Sequence, residues 1–281
     1  MPASLPSDIS VTVSRALAED IGTGDLTAAL VPEHSQAKGR VISRQDAVIC
    51  GSAWFDEVFR QVDDRIHIHW EVKDGDIAHK DKVLCRLEGP ARGLLTGERS
   101  ALNFLQTLSG TATVARRYVE AVRGTRATIL DTRKTLPGLR TAQKYAVRCG
   151  GASNYRMGLY DGILIKENHI MAAGSIAAAV RAARDQQAQV PVEVEVETFE
   201  QLGEALDAGA DILLLDNFDI PGMREAVRIN AGRAKLEASG GIDMTQIKAV
   251  AETGVDYISI GSLTKHVQAV DLSLRFEFGE H

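Results

Sequence analysis

The sequence predicts an α/β protein: a parallel α/β barrel preceded by a small α+β domain. Three observations predict it. From Thr128 onward, six short apolar, β-rich runs alternate with helical patterns, the order of a parallel sheet built by right-handed crossovers. No dinucleotide-binding glycine fingerprint follows any of those runs, which favours a barrel over an open sheet. Before residue 90, strands instead succeed one another through tight turns, the pattern of an antiparallel sheet.

Apolar residues recur at helical spacing over 9–18, so a first helix is expected there. The turn Gly22-Thr23-Gly24-Asp25 lacks a preceding strand and reads as a cap, not a phosphate loop. Strands are expected at 38–44 and 47–50, a helix at 54–61, and a half-buried strand in the alternation Ile66-His67-Ile68-His69-Trp70. His67 and His69 share one face of that strand and read as its surface, not as a metal pair. After the turn Asp74-Gly75-Asp76 another strand is expected at 82–87, and Gly89-Pro90 ends the domain. Leu95, Ala101, Leu102, Leu105 and Leu108 form the apolar stripe of a helix over 94–108. Gly110 is expected to interrupt it, with a helix resuming over 113–122. The barrel strands are expected at 128–130, 163–165, 192–196, 212–215, 235–238 and 257–260, with helices over 139–147, 176–183, 199–206, 223–227 and 247–251. The expected division is 1–110 for the first domain and 111–267 for the barrel, with 268–281 packing back on the first.

Composition narrows the function. The chain has 281 residues, 44% hydrophobic and 25% charged, with a net charge of −6. That is an ordinary globular composition, and no run nears the roughly 18 apolar residues of a membrane span. The polar N-terminal residues contain no apolar signal core, so no export is expected, and three sparse cysteines, Cys50, Cys85 and Cys149, point to a reducing cytoplasm.

Against that acidic background, residues 131–169 hold seven Lys or Arg residues and only three acids, Asp131, Asp161 and Glu167. Basic side chains beside glycine turns in an acidic chain point to a small, multiply anionic ligand and away from nucleic acid. Arg140, Lys144 and Arg148 recur at helical spacing and equally suit a solvated helix face. For the others a site is the better reading, because each barrel strand ends in a chemically useful residue, where such barrels gather their catalytic groups. Thr132-Arg133-Lys134 follows the first strand, Lys166 the second and Glu195 the third. Asp216-Asn217 follows the fourth, Ser239-Gly240-Gly241 the fifth and Gly261-Ser262 the sixth. Arg133, Lys134 and Lys166 suit carboxylates or phosphates. Glu195 and Asp216 are hard oxygen ligands suited to Mg²⁺, or equally acceptors for sugar hydroxyls. Glu193 alternates with Glu195, so both are expected to face the barrel interior. The two glycine-serine loops are expected to offer backbone N–H groups near helix N-termini as a phosphate site. The ligands implied are a phosphorylated sugar and a small carboxylated partner. A Schiff-base aldolase or lyase using Lys166 or Lys134 is the rival reading of the same barrel.

Several motifs carry a family resemblance. They are Asp131-Thr132-Arg133-Lys134-Thr135-Leu136-Pro137-Gly138, Ile165-Lys166-Glu167-Asn168-His169, Val192-Glu193-Val194-Glu195-Val196 and Leu215-Asp216-Asn217. Gly97-Glu98-Arg99-Ser100, Glu237-Ala238-Ser239-Gly240-Gly241-Ile242, Asp25-Leu26-Thr27 and Gly261-Ser262-Leu263-Thr264-Lys265 belong to the same set. Together they resemble the quinolinate phosphoribosyltransferases over nearly the whole chain. The resemblance implies an N-terminal α/β sandwich domain, an incomplete α/β barrel of the type II phosphoribosyltransferase kind, and a homodimer, with a hexamer as the larger alternative. It implies that quinolinate and phosphoribosyl pyrophosphate become nicotinate mononucleotide, pyrophosphate and CO2, with Mg²⁺, in NAD biosynthesis. It further implies that Lys134, Lys166, Glu195 and Asp216 are catalytic and that Arg99 reaches the partner subunit's site. Arg133, Arg156 and Lys166 would bind the dicarboxylate, with Thr132, Lys134 and Tyr155 beside them. Glu195 and Asp216 would serve ribose and metal, and Ser239, Gly240, Gly241, Ile260, Gly261 and Ser262 would hold phosphate. One residue departs from the pattern: where the family usually has His before Arg156, this chain has Tyr155. Tyrosine can donate one hydrogen bond to a carboxylate but carries no positive charge.

Overall fold

The computed structural model describes residues 4–186 and 189–278. The first elements in chain order are α1 (Ile9–Ile21), β1 (Gln36–Ser43), β2 (Ala47–Val48), α2 (Ser52–Val62), β3 (His67–Trp70), β4 (Ile77–Ala78), β5 (Val83–Pro90) and α3 (Ala91–Ala121). Next come β6 (Thr128–Leu130), α4 (Arg140–Cys149), β7 (Ile163–Ile165), α5 (Glu167–Ala173), α6 (Ile176–Gln186), β8 (Val192–Val196) and α7 (Phe199–Asp207). The last are β9 (Ile212–Asp216), α8 (Ile220–Asn230), β10 (Lys235–Ser239), α9 (Ile247–Ala251), β11 (Tyr257–Ser259), α10 (Ser262–Lys265) and β12 (Leu272–Phe278). They fall into two compact units, one of residues 1–116, 135–151 and 262–281, the other of 117–134 and 152–261. Residues 279–281, the end of the segment expected to pack on the first domain, lie outside the described residues.

The first unit is built on an antiparallel sheet of order β12-β1-β5-β3. Strand β1 alternates exposed and buried side chains, the signature of a sheet with one wet face. Against the dry face lie Trp54, Phe55 and Phe59 of α2 and Leu94, Leu102, Leu105 and Leu108 of α3, all at most 2% exposed. Phe55 meets Phe59 and Trp70 edge-on, an arrangement that favours aromatic pairs beyond their buried area. His67 and His69 are exposed on β3, as their alternation predicts.

Helix α3 corrects an expectation. It runs unbroken for 31 residues, and Gly110 lies inside it. A Cβ at that position would sit 2.2 Å from the Gln268 carbonyl oxygen, so the glycine admits a backbone neighbour. Gln106 holds the same neighbour, donating to the Val270 carbonyl at 3.0 Å and accepting the Val270 amide on its own backbone carbonyl at 3.1 Å. The trio Arg140, Lys144 and Arg148 is not one solvated face either: Lys144 is fully buried and Arg148 exposed.

The second unit holds a parallel sheet of order β6-β11-β10-β9-β8-β7. The first strand pairs with the last, so the sheet rolls round on itself, and among the described residues it stays open between β6 and β7. Ser153 bridges to Leu130 beside that opening. This is the incomplete parallel α/β barrel. In β8, Val192, Val194 and Val196 are fully buried on the face covered by α6 and α7, and Glu193 and Glu195 take the other face. Directly after β7 the chain turns into helix α5 at Glu167, an element the sequence reading did not place. His169 reaches back to accept the Lys166 amide on Nδ1 at 3.0 Å, closing the first turn.

Candidate active site

The chemistry gathers at the C-terminal ends of the barrel strands, all within the second unit. Lys166, one residue past β7, pairs with the Glu195 carboxylate on β8. Asp216 ends β9, and its carboxyl is raised above the ordinary range, first by burial and then by repulsion from Glu195. Lys166 and Lys134 oppose that rise. Four of the expected residues thus share one electrostatic field: two carboxylates that repel each other, flanked by two ammonium groups.

Glycines make room for these charges. A Cβ on Gly261 would lie 3.1 Å from Lys134 Cδ and 3.7 Å from Thr132 Oγ1, so the lysine stem lies directly over the bare backbone. Thr132 Oγ1 accepts the Lys134 amide at 3.1 Å and fixes the turn that aims it. Gly240, at φ +101°, lies against Asp216 and Asn217, where its would-be Cβ is 3.4 Å from Asp216 Oδ1. Asn217 itself adopts φ +59° and donates to Asp216 Oδ2 at 3.1 Å. Ile260 is buried behind Gly261, with its amide on the Leu130 carbonyl at 2.9 Å.

One of the two glycine loops leads into a helix as expected: α10 begins at Ser262, directly after Gly261. The loop after β10 opens no helix at once: Gly240 and Gly241 both take positive φ, Asp243 caps a turn through Thr245, and α9 starts only at Ile247. Helix α10 after Gly261 has four residues. These loops therefore offer turn amides and open backbone, not the ends of long helices.

The segment before β7 is pinned from below. Asp131 is fully buried at the end of β6 and accepts Asn154 Nδ2 at 2.6 Å and the Tyr155 amide at 2.9 Å. Tyr155 then donates its hydroxyl to Glu193. Arg156 lays its guanidinium 5.7 Å from the Tyr155 ring centroid and donates to the Gly162 carbonyl at 2.8 Å. Its buried Nε has no hydrogen-bond partner among the described residues. Arg133 is half-buried at the same strand end as Lys134.

Sequence reasoning missed the floor beneath this mouth. Glu193 and Glu237 are each 2% exposed and line a cavity of about 420 Å³ with Thr128, Tyr155, Arg156 and Ile212. Burial pushes both carboxyls up; Glu193 pushes Glu237 up further, whereas the hydrogen bonds with Tyr155 and Glu237 oppose the rise of Glu193, so a proton held on Glu237 satisfies the pair. Ser259 donates to Glu237 from the neighbouring strand. The inward period of β8 and β10 signals Glu193 and Glu237, but nothing local signals that they meet. Arg99 lies in the first unit, exposed on α3 beside Glu98, and Ser262 begins α10 in that unit. The remaining expected residues lie in the second unit.

A parallel barrel whose strand ends carry cations, carboxylates and open glycine turns defines a protein that handles anionic small molecules. Similarity to known proteins narrows that class. Residues 25–109 match the family model for the quinolinate phosphoribosyl transferase N-terminal domain and residues 111–275 that for its C-terminal domain. A Bacillus subtilis protein named probable nicotinate-nucleotide pyrophosphorylase (carboxylating) is 45% identical over 91% of this chain and 89% of its own length. A Mycobacterium leprae protein named nicotinate-nucleotide pyrophosphorylase (carboxylating) is 44% identical over 94% of this chain and 95% of its own. A solved Francisella tularensis nicotinate-nucleotide pyrophosphorylase superposes with a TM-score of 0.95 at 46% identity, covering 98% of both chains. The chain belongs to the quinolinate phosphoribosyl transferase family. No described helix is long and apolar enough to cross a membrane.

Proposed function

We propose that the protein transfers the phosphoribosyl group of phosphoribosyl pyrophosphate to the ring nitrogen of quinolinate with loss of CO2. The products are nicotinate mononucleotide, pyrophosphate and CO2, a step of NAD biosynthesis, and its proposed compartment is the cytoplasm. One observation carries the reading: Lys134 and Lys166 flank the opposed carboxylates Glu195 and Asp216 at the mouth of a parallel barrel. A dicarboxylate and a pyrophosphate ester need those cations, and a ribose needs acceptors for its hydroxyls.

The roles follow from charge. Arg133, Arg156 and Lys166 hold the two carboxylates, and Arg156 is directed by its stack on Tyr155. Glu195 and Asp216 accept ribose hydroxyls and orient C1 toward the pyridine nitrogen. Attack by that nitrogen breaks the bond from C1 to pyrophosphate oxygen and leaves the ring cationic. The adjacent carboxylate then departs as CO2, its bonding electrons pass to ring C2, and C2 takes a proton. Thr132, Lys134 and the turns at Ser239–Gly241 and Gly261–Ser262 hold phosphate oxygens through the transfer.

Glu195 and Asp216 suit Mg²⁺, because a divalent cation offsets the burial and the repulsion from Glu195 that hold the Asp216 carboxyl high. When bound, that ion neutralises charge on the departing pyrophosphate. Arg99 is proposed to act across a homodimer, since an exposed arginine on a helix outside the barrel suits a neighbouring subunit's ligand.

Purified protein supplied with phosphoribosyl pyrophosphate and Mg²⁺ is expected to consume quinolinate and leave nicotinate untouched. Equal turnover of nicotinate, or trapping of substrate on a lysine by borohydride, rejects the reading.

A further inference from the structure

Two of the three cysteines meet in the first unit. Cys50 is fully buried just before α2, and Cys149 is half-buried as the last residue of α4. Their sulfurs and an Asp74 carboxylate oxygen all lie within 4.8 Å of one another.

Such a trio can hold a metal ion or perform thiol chemistry, and Asp74 decides between them. Its carboxylate already accepts the Gly51 amide at 3.1 Å, the Ser52 amide at 3.1 Å and the Tyr145 hydroxyl at 3.0 Å. It is committed to the start of α2 and to α4. A thiolate-bound zinc needs four ligands, and here only the two sulfurs remain. Thiol–thiol chemistry is therefore favoured.

Both backbones are held in place. The Cys50 amide donates to Ser109 Oγ at 2.9 Å, and the Ser109 hydroxyl donates back to the Cys50 carbonyl at 3.2 Å. Arg116 donates to the Gly150 carbonyl at 2.9 Å and to the Cys149 carbonyl at 3.5 Å. A Cβ on Gly75 would lie 3.5 Å from the Cys149 carbonyl oxygen, so this side is packed as well.

We propose that Cys50 and Cys149 are a reversible redox pair that closes to a disulfide on meeting a low-molecular-weight disulfide. The two thiols divide the work. The hydrogen bond with Cys50 lowers the Cys149 thiol and favours its thiolate, whereas burial holds the Cys50 thiol well up. Cys149 is also the one that solvent reaches. Its thiolate attacks the small disulfide, releases one small thiol and forms a mixed disulfide. Cys50 then gives up its proton, attacks Cys149 Sγ and releases the second small thiol. Two electrons pass from the protein sulfurs to the small disulfide. The bond staples the end of α4, the helix whose Gln143 accepts the Leu136 amide at 2.7 Å and donates to the Thr264 carbonyl at 3.0 Å. Cys85, buried on β5 with its thiol pushed far up, takes no part.

The test equilibrates the purified full chain with graded ratios of oxidised to reduced glutathione, quenches with acid, blocks the remaining thiols with maleimide in denaturant and digests without reduction. Two thiols are expected to vanish together, with Cys50 and Cys149 peptides linked, Cys85 still alkylated, and dithiothreitol restoring all three. Closing so long a loop raises Tm by about 5–10 °C. Cys149→Ser should leave Cys50 free under the same conditions. Glutathione remaining on Cys149 while Cys50 stays alkylatable overturns the proposal. So does stoichiometric Zn²⁺ binding to the reduced chain that Cys149→Ser abolishes, because it makes the trio a metal site.

Discussion

Replacing Lys166 with methionine removes the ammonium and keeps the stem. The Glu195 side chain is only 17% exposed, and Lys166 is the partner that compensates its charge. A pair this enclosed lies between an exposed ion pair and a buried one, so losing the partner costs about 1–2 kcal/mol of stability. For a chain of this size that lowers Tm by about 2–4 °C, well short of unfolding. The effect on turnover is larger. Asp216 loses one of the two cations that hold its carboxyl down, and the dicarboxylate loses a cation as well. Loss of one preorganised electrostatic contact costs about 10²–10³-fold in kcat/KM. The Asp216 carboxyl also moves further up, so the acid limb of the pH profile for Mg²⁺-dependent activity shifts to higher pH. Steady-state kinetics with quinolinate, run beside thermal unfolding, separate the two effects. A Lys166→Met enzyme within about threefold of wild type, or one whose loss matches its unfolded fraction, refutes the role given to this lysine.

Four further outcomes are expected. Asp216→Asn should cut kcat at least about 10²-fold, in line with loss of an electrostatic contact, yet leave Tm equal or higher at pH 7. A carboxyl raised in the folded state loses stability as pH climbs from its unfolded value through its folded one, and asparagine escapes that loss; a lower Tm contradicts it. Tyr155→His should stay active and lower the quinolinate KM at about pH 6 relative to about pH 8, because the imidazolium forms only below its pKa; a dead variant shows that the tyrosine hydroxyl on Glu193 is required. Gly110→Ala should destabilise by about 1–3 kcal/mol, since the added carbon meets the Gln268 carbonyl, and an unchanged urea midpoint is the contrary result. Arg99→Ala and Lys134→Ala, each nearly inactive alone, should regain roughly a quarter of wild-type activity after subunit exchange at equal mixing, as two-fold pairing dictates; no recovery places Arg99 in its own chain's site.

The strands of the barrel were legible because buried parallel strands are short apolar runs, and the Val/Glu alternation of β8 told which face held the glutamates. The residues at the strand ends were legible for the same reason: a period of two fixes which side chain comes after the last buried one. Long-range facts were not. Gly110 reads as a helix breaker until the segment at Gln268 packs on it. Lys144 looks like part of a basic stripe, yet it is buried, since spacing alone gives no record of what covers a helix. Glu193 and Glu237 lie far apart in sequence and meet only after the sheet has rolled up. Asp131 reads as one more acid at a strand end, whereas it ties down Asn154 and Tyr155. The turn from β7 into α5 was hidden because Lys166-Glu167-Asn168-His169 succeeds an apolar run without a glycine or proline to mark the boundary.

The central claim is that one barrel mouth joins the phosphoribosyl group to the ring nitrogen and releases the neighbouring carboxylate. Quinolinate labelled with ¹³C in either the C2 or the C3 carboxylate tests it directly, with CO2 and pyrophosphate measured in the same reaction. Labelled CO2 is expected from the C2 position alone, in equal amount to pyrophosphate, with retention of the C3 label in the mononucleotide. Label released from C3, or pyrophosphate formed without CO2, contradicts it.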